Sequence, residues 1–273
     1  MPKHPLSPSI FPYPWAAEWG EDRYGLYQVL QYKDASYTFR WIPKGRFMMG
    51  SPENEQGRYD NEDYHQVSLS QSFWLGETPV TQALYAAITG KNPSYFKKPR
   101  LPVEQVSWDD AQAFIKIVNS LHPSLTVRLP WEAEWEYACR AGTTTAFHWG
   151  HEINLDLANY CGTWDDYQRF GTGAKQATTS VRRYPCNACG LYDMHGNVWE
   201  WCEDVWELSL GIQEATDPFQ STVSRLPASG ALRRVLSGGS WFNSGRNVRS
   251  AYRNRNAPDD RINYIGFRLA LGH

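Results

Sequence analysis

No apolar run in this 273-residue chain approaches the ~20 residues of a membrane-spanning helix. Its first twenty residues are rich in proline and aromatics and lack the apolar h-region of a signal peptide. The expectation is a cytoplasmic protein without a membrane span. An excess of either charge is also missing: net charge is −2 with both signs dispersed, so the basic footprint of a nucleic-acid binder is absent and no such partner is expected. The five cysteines are odd in number and too few for a disulfide framework. Cys186 and Cys189 form a lone CxxC. A zinc site would need two further ligands, and no second pair supplies them, so both read as ordinary semi-buried thiols. Internal repeats and low-complexity tracts are absent.

Aromatic rings are abundant: 13 Trp, 16 Tyr and 11 Phe, with 21 Gly and 17 Pro beside them. That balance favours a loop-rich fold with aromatic packing over a helical bundle or a parallel sheet. Residues 1–36 read as an arm packed on a main domain, 37–273. From 37 to 48, YTFRWIPKGRFM alternates as a strand pair with a turn at 43–45, an acidic loop fills 53–63, and HQVSLSQSFWL (65–75) reads as strands. Three helices follow. Thr81 caps one over 82–88 that Gly90 closes. Ser107 and Asp110 form a capping box for 108–121, with Ala111, Phe114, Ile115 and Val118 on its buried face. Pro130 starts the third, 131–140, with Trp131, Trp135 and Ala138 on one stripe and Gly142 as its stop. Beyond Gly142 no long periodic segment appears.

The closing stretch, about 234–270, has two short apolar runs around a long polar loop. In the second run Ile265, Phe267 and Leu269 alternate with Gly266 and Arg268, the period of a half-buried strand. Such strands suggest a scaffold that presents a surface.

Seven stretches in this order resemble the formylglycine-generating enzyme (sulfatase-modifying factor) domain. They are GRFMMGS (45–51), PVT (79–81), PVEQVSW (102–108), RLPWEAEWEY (128–137), GLYDMHGNVWEW (190–201), GGSW (238–241) and GFR (266–268). The resemblance implies an α+β, C-type-lectin-like fold with two to three helices around small antiparallel sheets and much irregular structure. It also implies where chemistry would sit. The family's oxidase holds copper through two cysteines shortly after the GGS motif. The matching positions here are Asn243 and Val248, neither of which supplies the thiolate Cu(I) needs, so no copper is expected. The family's iron-dependent relatives use a histidine triad from a partner domain, whereas His148 and His151 read as loop histidines. A structural Ca²⁺ is implied at Asp193 and Glu200, as carboxylates, with Gly196 and Val198 as carbonyl donors. Trp131 stands where the family more often has a hydroxyl cap.

More narrowly, the last segment resembles the variable proteins of diversity-generating retroelements, in which adenine-directed mutagenesis of Asn codons never yields Lys, Glu, Gln, Met or Trp. Those five types make up about a fifth of this chain, yet none lies between Phe242 and Tyr264. Chance gives such a gap about once in a hundred trials. Asn243, Asn247, Asn254, Asn256 and Asn263 look like unmutated template. Phe242, Ser244, Tyr252, Ala257, Asp260, Ile262 and Tyr264 are reachable from it. Arg246, Arg249, Arg253, Arg255 and Pro258 would be a fixed frame, the arginines tying loop carbonyls to the core. Tyr, Ser and Asn give adaptable contacts at low entropic cost, and a dozen such positions match a standard interface of roughly 800 Å² per partner. Phe242, Tyr252, Ile262 and Tyr264 are expected to be exposed. The reading is a non-enzymatic scaffold whose residues 242–264 bind a macromolecular ligand, a protein by expectation. The alternatives are a formylglycine-generating-type oxidase, a degenerate enzyme relative, or a subunit for one fixed partner.

Overall fold

The computed structural model describes residues 7–165, 169–221 and 232–272. In chain order they form β1 (Ala16–Asp22), β2 (Gly25–Tyr32), β3 (Ala35–Ile42), β4 (Gly45–Met49), β5 (His65–Leu69) and β6 (Phe73–Gly76), then α1 (Gln82–Thr89) and α2 (Trp108–Ser120). Then come β7 (Val127–Arg128), α3 (Glu132–Arg140), β8 (Trp199–Val205), β9 (Ala215–Thr216), β10 (Arg234–Ser237), β11 (Arg253–Asn256), β12 (Ile265–Gly266) and β13 (Ala270–Leu271). Three sheets result, ordered β1-β2-β3-β6-β13-β7, β11-β10-β8-β12 and β4-β5-β9. The class is α+β, as expected.

All three helices fall within a residue of where their end signals place them, except that in the third Trp131 is the N-cap, outside the helix, and Ala141, not Gly142, closes it in the left-handed region. Thr81 Oγ1 accepts the Leu84 amide and Gly90 closes α1 in the left-handed region. Ser107 and Asp110 exchange both bonds of a capping box at α2, and the four expected apolar residues are its buried ones. At α3 the cap comes from inside the helix, because Trp131 has no oxygen to offer: the Glu134 carboxylate accepts the Trp131 amide at 2.9 Å and also receives two bonds from Arg128. Trp135 and Ala138 are buried, whereas Trp131 is half-buried and stacks on Phe219.

Three expectations about strands are corrected. The described part of the supposed arm is integral: β1 and β2 lie inside 1–36 and continue the largest sheet, β2 pairing with β3 from Tyr27↔Arg40 to Tyr32↔Ala35. The 37–48 strands do not pair with each other, since β3 runs against β2 and β6 while β4 crosses to β5 in another sheet. The run after 264 is buried on both sides. Gly266 has no side chain to expose and Arg268 finds a buried carboxylate, so Ile265, Phe267 and Leu269 mark a core segment.

The core has two main parts. In one, Phe114 of α2, Tyr85 of α1 and Phe267 pack together, Phe114 meeting Phe267 edge-on at 5.4 Å. In the other, Trp135 of α3 lies among Leu75, Leu191, Met194 and Val235. The loop that follows β10 is therefore anchored at both ends in packed aromatic layers.

Candidate ligand-binding face

The loop after β10 opens at Gly238 and Gly239, both with positive φ. A Cβ on Gly239 would come within 2.3 Å of the Val248 side chain, so the chain reverses there only because glycine leaves room. A short 3-10 turn, Gly245–Val248, follows, and β11 then pairs with β10 from Arg234↔Asn256 to Ser237↔Arg253. The polar composition of this stretch predicts an irregular loop. Its pairing escapes hydropathy because Arg253, not an apolar residue, is the buried side chain of β11.

Arginines hold the loop from beneath. Arg249 is fully buried and reaches the acidic 53–63 loop, with Glu55 Oε1 at 2.6 Å, both Glu62 oxygens at 2.6 and 2.9 Å and Gly57 O at 2.8 Å. Arg253 pairs with Glu132 at the start of α3 and donates to Asn61 O. Arg246 donates to the Gly57 and Arg58 carbonyls and lies 3.9 Å over the Tyr59 ring. These three are the struts expected of them. Arg255 is not: it is exposed on the edge strand and its guanidinium lies over the Trp206 ring.

Twelve expected contact positions sit on this frame, and the structure separates them. Phe242 and Tyr264, twenty-two residues apart, stack at 5.8 Å. Tyr252 lies between Tyr59 at 4.9 Å and Trp199 at 5.7 Å, and burial pushes its hydroxyl up to about 12. Asn263 supplies a carbonyl to Trp241 Nε1, and Ile262 a carbonyl to the Gln105 amide. Asn254 and Asn256 stand on edge strand β11, and Asp260 closes a turn on the Ala257 amide. Two positions lie inside: Ser244 is buried, and Asn247, also buried, accepts from the Tyr59 hydroxyl at 3.1 Å. Phe242, Tyr252, Ile262 and Tyr264 are half-buried, not exposed as expected, because each rests one edge on the aromatic layers below.

Sequence reasoning missed Tyr59, whose ring meets Tyr252 and whose hydroxyl meets Asn247 from 188 residues upstream, since no local pattern encodes so remote a contact. It also missed a ring chain that leads away from Trp241. Phe96 meets Trp241 edge-on at 5.5 Å, and Phe170 stacks on it at 6.1 Å.

The positions matching the oxidase's copper cysteines are held otherwise. Val248 is buried among Ala146, Phe147, Ala158 and Tyr160, and Asn243 accepts the Ser240 hydroxyl at 2.5 Å. His148 and His151 diverge, His151 being exposed. His148 faces His195 instead, ring centroids 5.2 Å apart. His195 Nδ1 donates to Val248 O, its Nε2 accepts the His148 amide, and burial drives its pKa well down, so it is a neutral brace under the loop. Burial pushes His148 down to about 4 and the Cys139 thiol, 3.6 Å from His195, up to about 12. Cys186 and Cys189 are both free thiols.

The two carboxylates implied as calcium ligands already have partners within the protein. Both Glu200 oxygens are taken by Arg268, at 2.5 and 2.7 Å, with Trp135 Nε1 adding a third bond, so a guanidinium already neutralises this carboxylate. Asp193 accepts from the Arg182 amide and Asn197 Nδ2, and burial pushes it up to about 6. Among the described residues no group of three His, Cys, Asp or Glu is gathered to hold a metal. No helix among them is long and apolar enough to cross a membrane.

Compared with known proteins, residues 31–272 match the sulfatase-modifying factor enzyme 1-like domain. The chain is 33% identical over 216 residues to a formylglycine-generating enzyme of Mus musculus, a match covering 77% of this chain and 54% of that protein. It thus spans about half the length of that curated relative. Among solved structures it is similar to Treponema denticola variable protein 1, with a TM-score of 0.73, 27% identity and coverage of 90% of this chain and 98% of that one. It is also similar to PvdO from Pseudomonas aeruginosa, with a TM-score of 0.74, 26% identity and the same coverage.

Proposed function

The chain belongs to the sulfatase-modifying factor enzyme 1-like domain family, and on that premise we propose that it is a non-enzymatic scaffold displaying a diversified C-terminal surface to a protein ligand. The observation that carries this reading is the division of labour in 242–264. Arg249 and Arg253 are buried and ion-paired to carboxylates outside the segment, whereas Phe242, Tyr252, Ile262 and Tyr264 lie half-buried at its rim. The frame is thus fastened by residues that need not change, and the rim is free to vary. Asn243 and Val248, at the copper positions, offer no thiolate for oxygen activation. Similarity to a solved chain named a variable protein supports the same reading.

Sequencing the 3′ end of this gene across isolates tests it. The expected result is change confined to the twelve positions with the arginines constant, and a uniform sequence would count heavily against display. The identity to formylglycine-generating enzymes favours an oxidase as the second reading. Copper loading followed by oxygen-uptake measurements on a cysteine-containing peptide separates the two: turnover would sink the scaffold proposal.

A further inference from the structure

The ring chain that starts at Tyr264 does not stop at the variable segment. It runs through Phe242 to Trp241, on to Phe96, and ends at Tyr95, which meets Phe96 edge-on at 5.0 Å. Tyr95 is 65% exposed and continuous with Phe96, so the chain of rings ends in an aromatic edge open to a partner. The loop that carries it, 91–100, is held stiff from behind. Buried Gln82 donates to the Phe96 carbonyl at 2.7 Å and accepts from Asn92 Nδ2 and the Lys98 amide. Buried Glu104 accepts the Phe96 amide at 2.8 Å, and buried Ser94 accepts the Glu104 amide. Ordering a loop before its ligand arrives removes an entropic cost from binding.

The same loop is one-signed. Lys91, Lys97, Lys98 and Arg100 are all exposed, no acidic residue falls between 90 and 103, and among the described residues none of the four is ion-paired. We propose that loop 91–100 is a fixed basic and aromatic wall beside the variable face, and that it binds an acidic protein segment carrying an aromatic or apolar side chain. The proposal rests on the display reading and adds the class of its partner. Carboxylates on the partner meet the lysines, while a ring extends the edge-to-face chain at Tyr95. A nucleic-acid strand suits the site less well. The inner rings of the chain, from Tyr264 to Phe96, pack on one another and are not left open as stacking platforms.

The test uses the full chain and three probes: a 4:1 glutamate–tyrosine copolymer, polyglutamate, and a twenty-base oligothymidine. The copolymer is expected to bind most tightly. The Lys97→Glu/Lys98→Glu double variant is expected to weaken it at least tenfold in 50 mM salt, with a much smaller loss in 500 mM salt. Tyr95→Ala is expected to weaken it several-fold, and unchanged thermal midpoints show that the variants fold. Tighter binding of oligothymidine, or copolymer binding indifferent to both variants, overturns the wall. If Phe242→Ser and Tyr264→Ser abolish binding while the lysine and Tyr95 variants do not, the wall fails and display stands. If the lysine and Tyr95 variants weaken binding while changes at 242, 252 and 264 do not, the wall stands and display fails.

Discussion

Arg249 spends all five of its N–H groups inside the protein: Nε on Arg246 O, Nη1 on Glu55 and Glu62, and Nη2 on Glu62 and Gly57 O. Truncation to alanine takes the guanidinium from two buried carboxylates and its donor from the Arg246 carbonyl, while Gly57 O keeps its bond from Arg246. Breaking a buried ion pair from one side costs about 3–5 kcal/mol. For a domain of this size each kcal/mol lowers Tm by about 2–4 °C, so Arg249→Ala is expected to lower Tm by roughly 6–20 °C. Arg249→Lys keeps the charge but has three donors for five acceptors, and its cost should fall between about 1 and 3 kcal/mol. Urea titration with calorimetry is the measurement, read at constant m so that the change belongs to the folded state. If Arg249→Ala costs less than about 1 kcal/mol at unchanged m, the frame beneath the loop is not held by this residue.

Three other outcomes follow from the same structure. Rim and core positions should differ in tolerance: Phe242→Ser, Ile262→Ser and Tyr264→Ser should each cost under about 2 kcal/mol, whereas fully buried Phe267→Ala should cost about 3–5 kcal/mol; equal costs in urea would refute the division. Burial, aided by Glu132, pushes Asp204 from 3.8 up to about 8, so between those values the folded state keeps a proton that the unfolded state has lost. Its stabilising contribution is full below about pH 4 and is lost as pH rises to about 8, at up to about 1.4 kcal/mol per pH unit. Asp204→Asn should flatten that decline in urea midpoints measured from pH 5 to 8, and an unaltered slope would contradict the assignment. With iodoacetamide and mass spectrometry, Cys186 should label first in the native protein, and buried Cys139, Cys161 and Cys202 only on unfolding.

Local chemistry was legible in the sequence and remote pairing was not. Thr81, Ser107 and Gly90 announce helix ends because a cap is made with neighbours three or four residues away. The ordered motifs located the fold because several of them are the residues that meet in its core, such as Trp135, Glu200 and Arg268 around one carboxylate. β11 stayed hidden because its inward residue is an arginine whose carboxylate lies 121 positions earlier. β1 read as an arm because, as an edge strand, it buries almost nothing. Ser244 and Asn247 read as surface because short polar residues usually are; the acidic loop that Tyr59 brings against this segment is what takes Asn247 inside. Phe96 carries no local signal because its ring partner, Trp241, comes from the opposite end of the chain.

β13 pairs on one side with β6 and on the other with β7, so the last strand of the chain is an interior member of the largest sheet. Everything between β11 and β12 must therefore be traversed in frame before that sheet can close. A shifted reading frame or an early stop anywhere in 242–264 removes the strand that joins β7 to the rest, along with Phe267 and Arg268 from the core. A missense change at the rim leaves all of them in place. Folding itself thus acts as a filter on the gene, tolerating substitutions at the rim and discarding truncated or frame-shifted copies.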